Sequence, residues 1–179
     1  MGSAQQLLAV ESQVADFLRR SEGDWRSERR YYTLPECKAQ EMVSLMHIRF
    51  LSRGDAQLVE LAELHGLEDP AAIVCGAQVT WQTNAVATGR EQSTGSTLFG
   101  VRGEHLLRDG GFAVRGPVLA DYAMRDADTL YLRTEFGGSV FEEELKLVGV
   151  RYRTRQTIIS RAGQQQLIGQ YLEHRLSEA

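Results

Sequence analysis

Cysteine is scarce in this chain: Cys37 and Cys75 are the only two in 179 residues, and they form no C-x-x-C pair. His47, His65, His105 and His174 are scattered, so no zinc-ligand spacing exists and no metal is expected. Both thiols read as small reduced hydrophobes rather than as a disulfide framework. Long apolar runs are missing too, and none approaches the roughly 20 residues that cross a bilayer. Met1 to Ala9 lacks the basic and apolar regions of a signal peptide. Gln6 stands where N-myristoylation requires Ser or Thr. A cytoplasmic protein with no membrane partner is expected. Charge of one sign is not in excess: 24 acidic and 20 basic residues give a net charge of -4. That balance supplies no general pull toward nucleic acid or anionic lipid. No G-x-x-x-x-G-K, no H-E-x-x-H and no Ser–His–Asp order occurs, so phosphate-loop, metal and hydrolytic chemistry have no support.

Helical periodicity is also rare. Gln5 to Arg20 carries Leu7, Leu8, Val14, Phe17 and Leu18 at helical spacing, with Ser3 as a cap and Ser21 and Gly23 as the stop. Leu58, Leu61, Ala62 and Leu64 fit a second, short helix ended by Gly66. The rest alternates like strands. Trp25–Leu34 and Met42–Leu51 read as a hairpin joined by 35–40. Ile73–Thr83 and Ser96–Val101 follow, within a Ser/Thr/Gly-rich stretch from Gly89 to Gly103. Phe112–Arg115 runs into a Gly116-Pro117 turn, and Val118–Met124 into a turn at Arg125–Asp128. Thr129–Phe136 and Ser139–Val148 flank Gly137-Gly138, a two-residue hairpin signal. Val150–Ser160 and Gln165–Leu176 complete the chain around Gly149 and Ala162-Gly163. With no crossover helices, a parallel sheet is excluded. Consecutive tight turns favour a closed antiparallel barrel of nine or ten strands over a sandwich. One domain over 1–179 is expected, with the helix near 5–20 and the barrel near 24–176.

The charged strands are the informative ones. In Val150–Ser160, alternation puts Arg151, Arg153 and Arg155 on one face with Thr157 and Ile159. In Ser139–Val148, Phe141, Glu143, Leu145 and Leu147 share a face opposite Val140, Glu142, Glu144 and Lys146. Trp25, Ser27 and Arg29 share a face of the first strand. Two readings stay open. One is a solvated sheet face of weak cross-strand Arg–Glu pairs. The other is a barrel interior lined with guanidiniums, whose forks match carboxylates of an anionic ligand. The dispersed Trp25, Tyr31, Tyr32, Trp81, Tyr122, Tyr131, Tyr152 and Tyr171 read either as core and rim packing or as walls for a flat conjugated ligand.

Several stretches resemble one family. Trp25-Arg26-Ser27-Glu28-Arg29-Arg30-Tyr31-Tyr32-Thr33-Leu34 is similar to the opening strand of the S-type phycobiliprotein lyases, the CpcS/CpeS-like family. Phe17 to Gly23, Val74-Cys75-Gly76 through Val79-Thr80-Trp81, Arg151-Tyr152-Arg153-Thr154-Arg155 and Gly169-Gln170-Tyr171-Leu172-Glu173 resemble it in the same order. The resemblance spans nearly the whole chain. It implies a lipocalin-like, fatty-acid-binding-protein-like barrel of about ten antiparallel strands with a helix at one end. It implies binding of an open-chain tetrapyrrole, phycocyanobilin or phycoerythrobilin, as substrate rather than as a permanent cofactor. The bilin is then joined by a thioether to a cysteine of an apo-phycobiliprotein subunit of phycocyanin, allophycocyanin or phycoerythrin. Family members occur as homodimers or with a related lyase subunit. By position, the resemblance assigns Arg151 and Arg153 to the bilin propionates and a glutamate of the preceding strand to the pyrrole nitrogens; Glu143 is the choice, with Glu142 and Glu144 as the alternatives of register, and Glu143 and Arg153 would be catalytic. Trp25, Arg29 and Trp81 would shape the cavity. Two other classes remain beside the lyase: a bilin or lipid carrier without transferase activity, and a helper subunit of a heteromeric lyase.

Overall fold

The computed structural model describes residues 2–86, 91–111 and 114–176. Helix α1 (Gly2–Arg20) comes first. Strands β1 (Gly23–Thr33) and β2 (Lys38–Ser52) form a hairpin, and α2 (Ala56–Leu64) follows. Then come β3 (Cys75–Ala85), β4 (Glu91–Arg102), β5 (His105–Gly111), β6 (Val114–Asp126), β7 (Thr129–Phe136), β8 (Ser139–Val148), β9 (Tyr152–Arg161) and β10 (Gln164–Arg175). Each strand pairs antiparallel with its chain neighbours, and β1 pairs with β10 to close the barrel. The expected antiparallel barrel with an N-terminal helix is therefore what the chain forms. Closure removes the sheet edges that would otherwise offer unpaired backbone groups.

Helix α1 plugs one end. Val14, Ala15, Phe17 and Leu18 are buried and pack with Met46, Ile48, Val101 and Leu130 from the barrel wall. Leu8, expected on the apolar stripe, is 67% exposed instead, and the helix starts at Gly2, ahead of the expected cap position at Ser3. The helix C-terminus is held from β10. The Arg175 guanidinium donates to the carbonyls of Arg20 and Glu22, which complements the helix dipole there. Helix α2 lies outside the barrel. Asp55 caps it by accepting from the Gln57 N–H at 3.0 Å. Its Leu58, Leu61 and Ala62 pack on Leu51, Ile73 and Leu107.

Three boundaries differ from the sequence reading. Strand β5 was not expected, because Arg108, Asp109, Gly110 and Gly111 carry no alternating apolar signal. Gly116-Pro117 is not a turn; it lies within β6, where Gly116 takes a φ of 100°. Strand β9 begins at Tyr152, because Gly149 (φ 61°) opens a turn that runs through Arg151. The expected starts at Gly89 and Phe112 lie outside the described residues. Among the described residues, no helix is long and apolar enough to cross a membrane.

Candidate functional site

Alternation decides what faces inward. On β9, Arg153 and Thr157 are buried while Tyr152, Thr154 and Gln156 are exposed. On β8, Phe141, Glu143 and Leu145 turn inward, and on β1 so do Trp25, Ser27, Arg29 and Tyr31. These faces enclose a cavity of about 820 Å³, large for a small-molecule site of roughly 300–1,000 Å³. Its walls are mostly apolar, with Val79, Trp81, Phe99, Leu132 and Phe141 among them. Among the described residues, four guanidiniums line it (Arg29, Arg108, Arg153, Arg155) against the carboxylates of Asp109 and Glu143.

The charges fall into two layers. At the floor, beside the α1 plug, Arg153 is ion-paired with the fully buried Glu173, which also accepts from the Ser27 hydroxyl at 3.0 Å. Burial alone would raise the Glu173 pKa, but Arg153, helped by Arg155 and the Ser27 hydroxyl, turns the net direction down. Trp25 lies beneath, its ring between Arg153 (5.2 Å) and Arg175 (4.4 Å), its Nε1 donating to the Ser21 carbonyl at 2.8 Å. The floor is thus a closed, satisfied set.

The middle layer is not closed. Glu143 accepts from Arg108 at 3.0 Å and from Arg155, which reach it from β5 and β9. Burial opposes its charge, yet Arg155 and Arg108 hold its pKa down at about 2. Arg29 and Arg155 flank the Tyr171 ring at 5.5 and 5.2 Å, and Arg108 stands over Phe99 at 4.8 Å. Tyr171 donates to the Tyr31 hydroxyl at 3.1 Å, and burial pushes its own pKa up to about 12. The Nε groups of Arg29, Arg108 and Arg155 and the Thr134 hydroxyl are buried without a hydrogen-bond partner. Such groups are rare in folded proteins and cost about 1–3 kcal/mol each, more when charged. Arg29 forms no ion pair among the described residues; its only polar contact is a long one, 3.6 Å, to the Met46 sulfur. A ligand with carboxylates and a flat apolar body would satisfy this layer.

Of the residues singled out from sequence, Glu143, Arg153, Arg29 and Trp81 come together around the cavity. Trp25 does not line it but supports Arg153 from below. Arg151 is the correction. It does not share the inward face with Arg153, because it sits exposed in the turn before β9, where its carbonyl accepts from the Arg175 N–H at 2.8 Å. Arg155, two residues beyond Arg153, takes the inward place; the alternation already put it on that face. Arg108 was missed with β5 itself. Tyr171 was among the aromatics read as candidate walls, and Glu173 lay within a stretch that resembles the family, without a role of its own. Among the described residues no three potential metal-ligating side chains gather.

Comparison with known proteins agrees with this architecture. The CpeS-like protein family matches residues 13–176. A Nostoc sp. protein named "Putative phycocyanobilin lyase CpcS 2" is 54% identical over 166 residues, covering 93% of this chain and 92% of the relative. The "Chromophore lyase CpcS/CpeS" of Thermosynechococcus vestitus is 31% identical, covering 87% of this chain and 88% of its own. The solved structure of the S-type phycobiliprotein lyase from Guillardia theta superposes with a TM-score of 0.78 at 21% identity, covering 93% of this chain and 94% of that one, so it shares the fold. The chain belongs to the CpeS-like protein family.

Proposed function

We propose that this protein is a chromophore lyase that takes an open-chain tetrapyrrole into the barrel and joins it by a thioether to a cysteine of an apo-phycobiliprotein subunit. One observation carries the reading: three guanidiniums with buried, unpartnered Nε donors, two of them paired with the anionic Glu143 and the third beside Tyr171, face an aromatic-lined chamber. A bilin has two propionates, a conjugated body and pyrrole N–H groups, and each meets a complementary wall. Arg29 and Arg155 flank one ring and are the preferred propionate holders. Arg153, already bound to Glu173, orients the floor. Glu143 stays ionised and is the acceptor for pyrrole N–H groups, favouring the more electrophilic, protonated bilin. The acceptor thiol adds across the ethylidene double bond of the terminal ring. Its sulfur bonds to the ethylidene carbon, its proton ends on the bilin, and nothing leaves. The chain supplies orientation and shielding, which can lower such a barrier by several kcal/mol.

The test is incubation of the protein with free bilin and an apo-subunit. A coloured adduct that persists in acidic urea is expected. Colour lost in acidic urea would instead make the protein a carrier. An adduct formed only with a related lyase subunit present would make it a helper. Phycocyanobilin is the first substrate to try, because the Nostoc relative is named for it.

A further inference from the structure

Two inward-facing glycines sit behind the aromatic walls. Gly95 on β4 pairs with Trp81 on β3, and a Cβ at Gly95 would lie 2.6 Å from Cζ2 of the Trp81 indole and 3.1 Å from its Cε2. Gly169 on β10 pairs with Tyr31 on β1 and Thr157 on β9. A Cβ there would lie 3.0 Å from the Tyr171 ring and 3.2 Å from the Tyr31 ring. Around the barrel these two positions are separated by β1, β2 and β3. Carbon atoms pack at about 3.5–4.0 Å, so each ring occupies the space a side chain would need. The rings rest on bare backbone, the arrangement in which an aromatic neighbour covers a strand glycine.

We propose that Gly95 and Gly169 set the width of the slot for a flat conjugated anion by holding Trp81 and the Tyr31–Tyr171 pair back against the walls. This rests on the chamber being a bilin site. The strand backbone blocks outward movement, so a methyl group at 95 drives the Trp81 indole toward the cavity. Trp81 lines the cavity and is only half-buried, so it has room to move inward without unfolding the wall. At Gly169 the rings are also pinned, by their T-shaped contact (centroids 5.7 Å apart) and by the hydroxyl pair. The effect there is the same in kind, with a smaller shift.

The experiment compares the full chain with G95A, G169A and the double variant W81F/G95A. Two probes are used: phycocyanobilin, and anilinonaphthalene sulfonate as a flat anionic dye outside the bilin class. Affinity, the absorption band of bound bilin and the thermal midpoint are measured. We expect G95A to weaken both probes about tenfold and to move the bound-bilin band, with the melting midpoint nearly unchanged. G169A should weaken both less. W81F/G95A should recover most of the lost affinity, because the shorter ring clears the new methyl. Wild-type affinity and band in G95A would overturn the proposal. So would a loss that W81F fails to rescue, since the defect would then lie in the wall itself. If the wild-type chain takes the dye but not phycocyanobilin, the bilin reading falls, and the dye affinities of the same variants still decide whether the glycines set the slot.

Discussion

Replacing Glu143 with Gln separates what this carboxylate does for the fold from what it does for the ligand. In the folded protein its pKa is about 2, against an ordinary 4.5. That difference favours the ionised state by about 3 kcal/mol. The folded value is the depressed one, so the contribution is fully present above pH 4.5 and is lost as pH falls from there toward 2. Gln keeps the shape and removes the charge, leaving the buried Arg108 and Arg155 without their counter-ion. We expect E143Q to unfold with about 3 kcal/mol less stability at pH 7, in the range for breaking a buried pair. Its stability should also fall less steeply than the wild type's between pH 4.5 and 2. Denaturant titration at several pH values measures both. Bilin uptake should be kept, because the freed guanidiniums can take propionates, while transfer to the apo-subunit falls. Wild-type stability at pH 7 together with an unchanged acid limb would refute the electrostatic account. Equal losses of uptake and transfer would refute the role assigned in the reaction.

Arg29→Met and Arg155→Met should each weaken phycocyanobilin binding about tenfold or more, the worth of one charge-assisted hydrogen bond. Arg151→Ala should leave it unchanged, since that side chain is exposed outside the chamber; titration of bilin absorbance distinguishes them. Arg153→Met should destabilise the fold by about 3–5 kcal/mol by stranding the buried Glu173, and R153M/E173L should recover much of that in denaturant melts. Iodoacetamide should label Cys37, exposed in the β1–β2 turn, and spare Cys75, whose burial pushes its thiol up to about 11; mass spectrometry of tryptic peptides reads the difference, and Cys75 labelling in the folded protein would contradict the packing of the plugged end.

Much of this barrel is written as period-two alternation between turn residues. Phe141, Glu143, Leu145 and Leu147 face inward as their spacing requires, and so do Trp25, Ser27 and Arg29. What alternation could not decide is which side of a face is inside. Arg151, Arg153 and Arg155 have one parity, and only the turn at Gly149 removes Arg151 from the strand. Strand β5 was illegible for a related reason. Its inward Arg108 and the bulge between Arg108 and Gly110 are stabilised by neighbours far along the chain, Glu143 on β8 and the Thr97 hydroxyl that donates to Asp109 at 2.9 Å. A polar residue facing the interior looks, in sequence, like a polar residue facing water.

The same ambiguity marks the site physically. A strand that buries an arginine violates the usual pattern, and such violations concentrate where a protein does its work. The floor pair Arg153–Glu173 is neutral and satisfied, beneath the plug of α1. The middle layer, with Arg29, Arg108 and Arg155 against the carboxylates of Glu143 and Asp109, carries one positive charge in excess and three unpartnered donors. Holding like charges together in a partly dry chamber costs folding free energy. A dianionic ligand offsets that cost on entering, so part of its affinity comes from strain already present in the free protein. Binding should therefore stabilise the barrel in proportion to ligand charge: a bilin with one propionate esterified should raise the melting midpoint less than the free diacid at equal saturation.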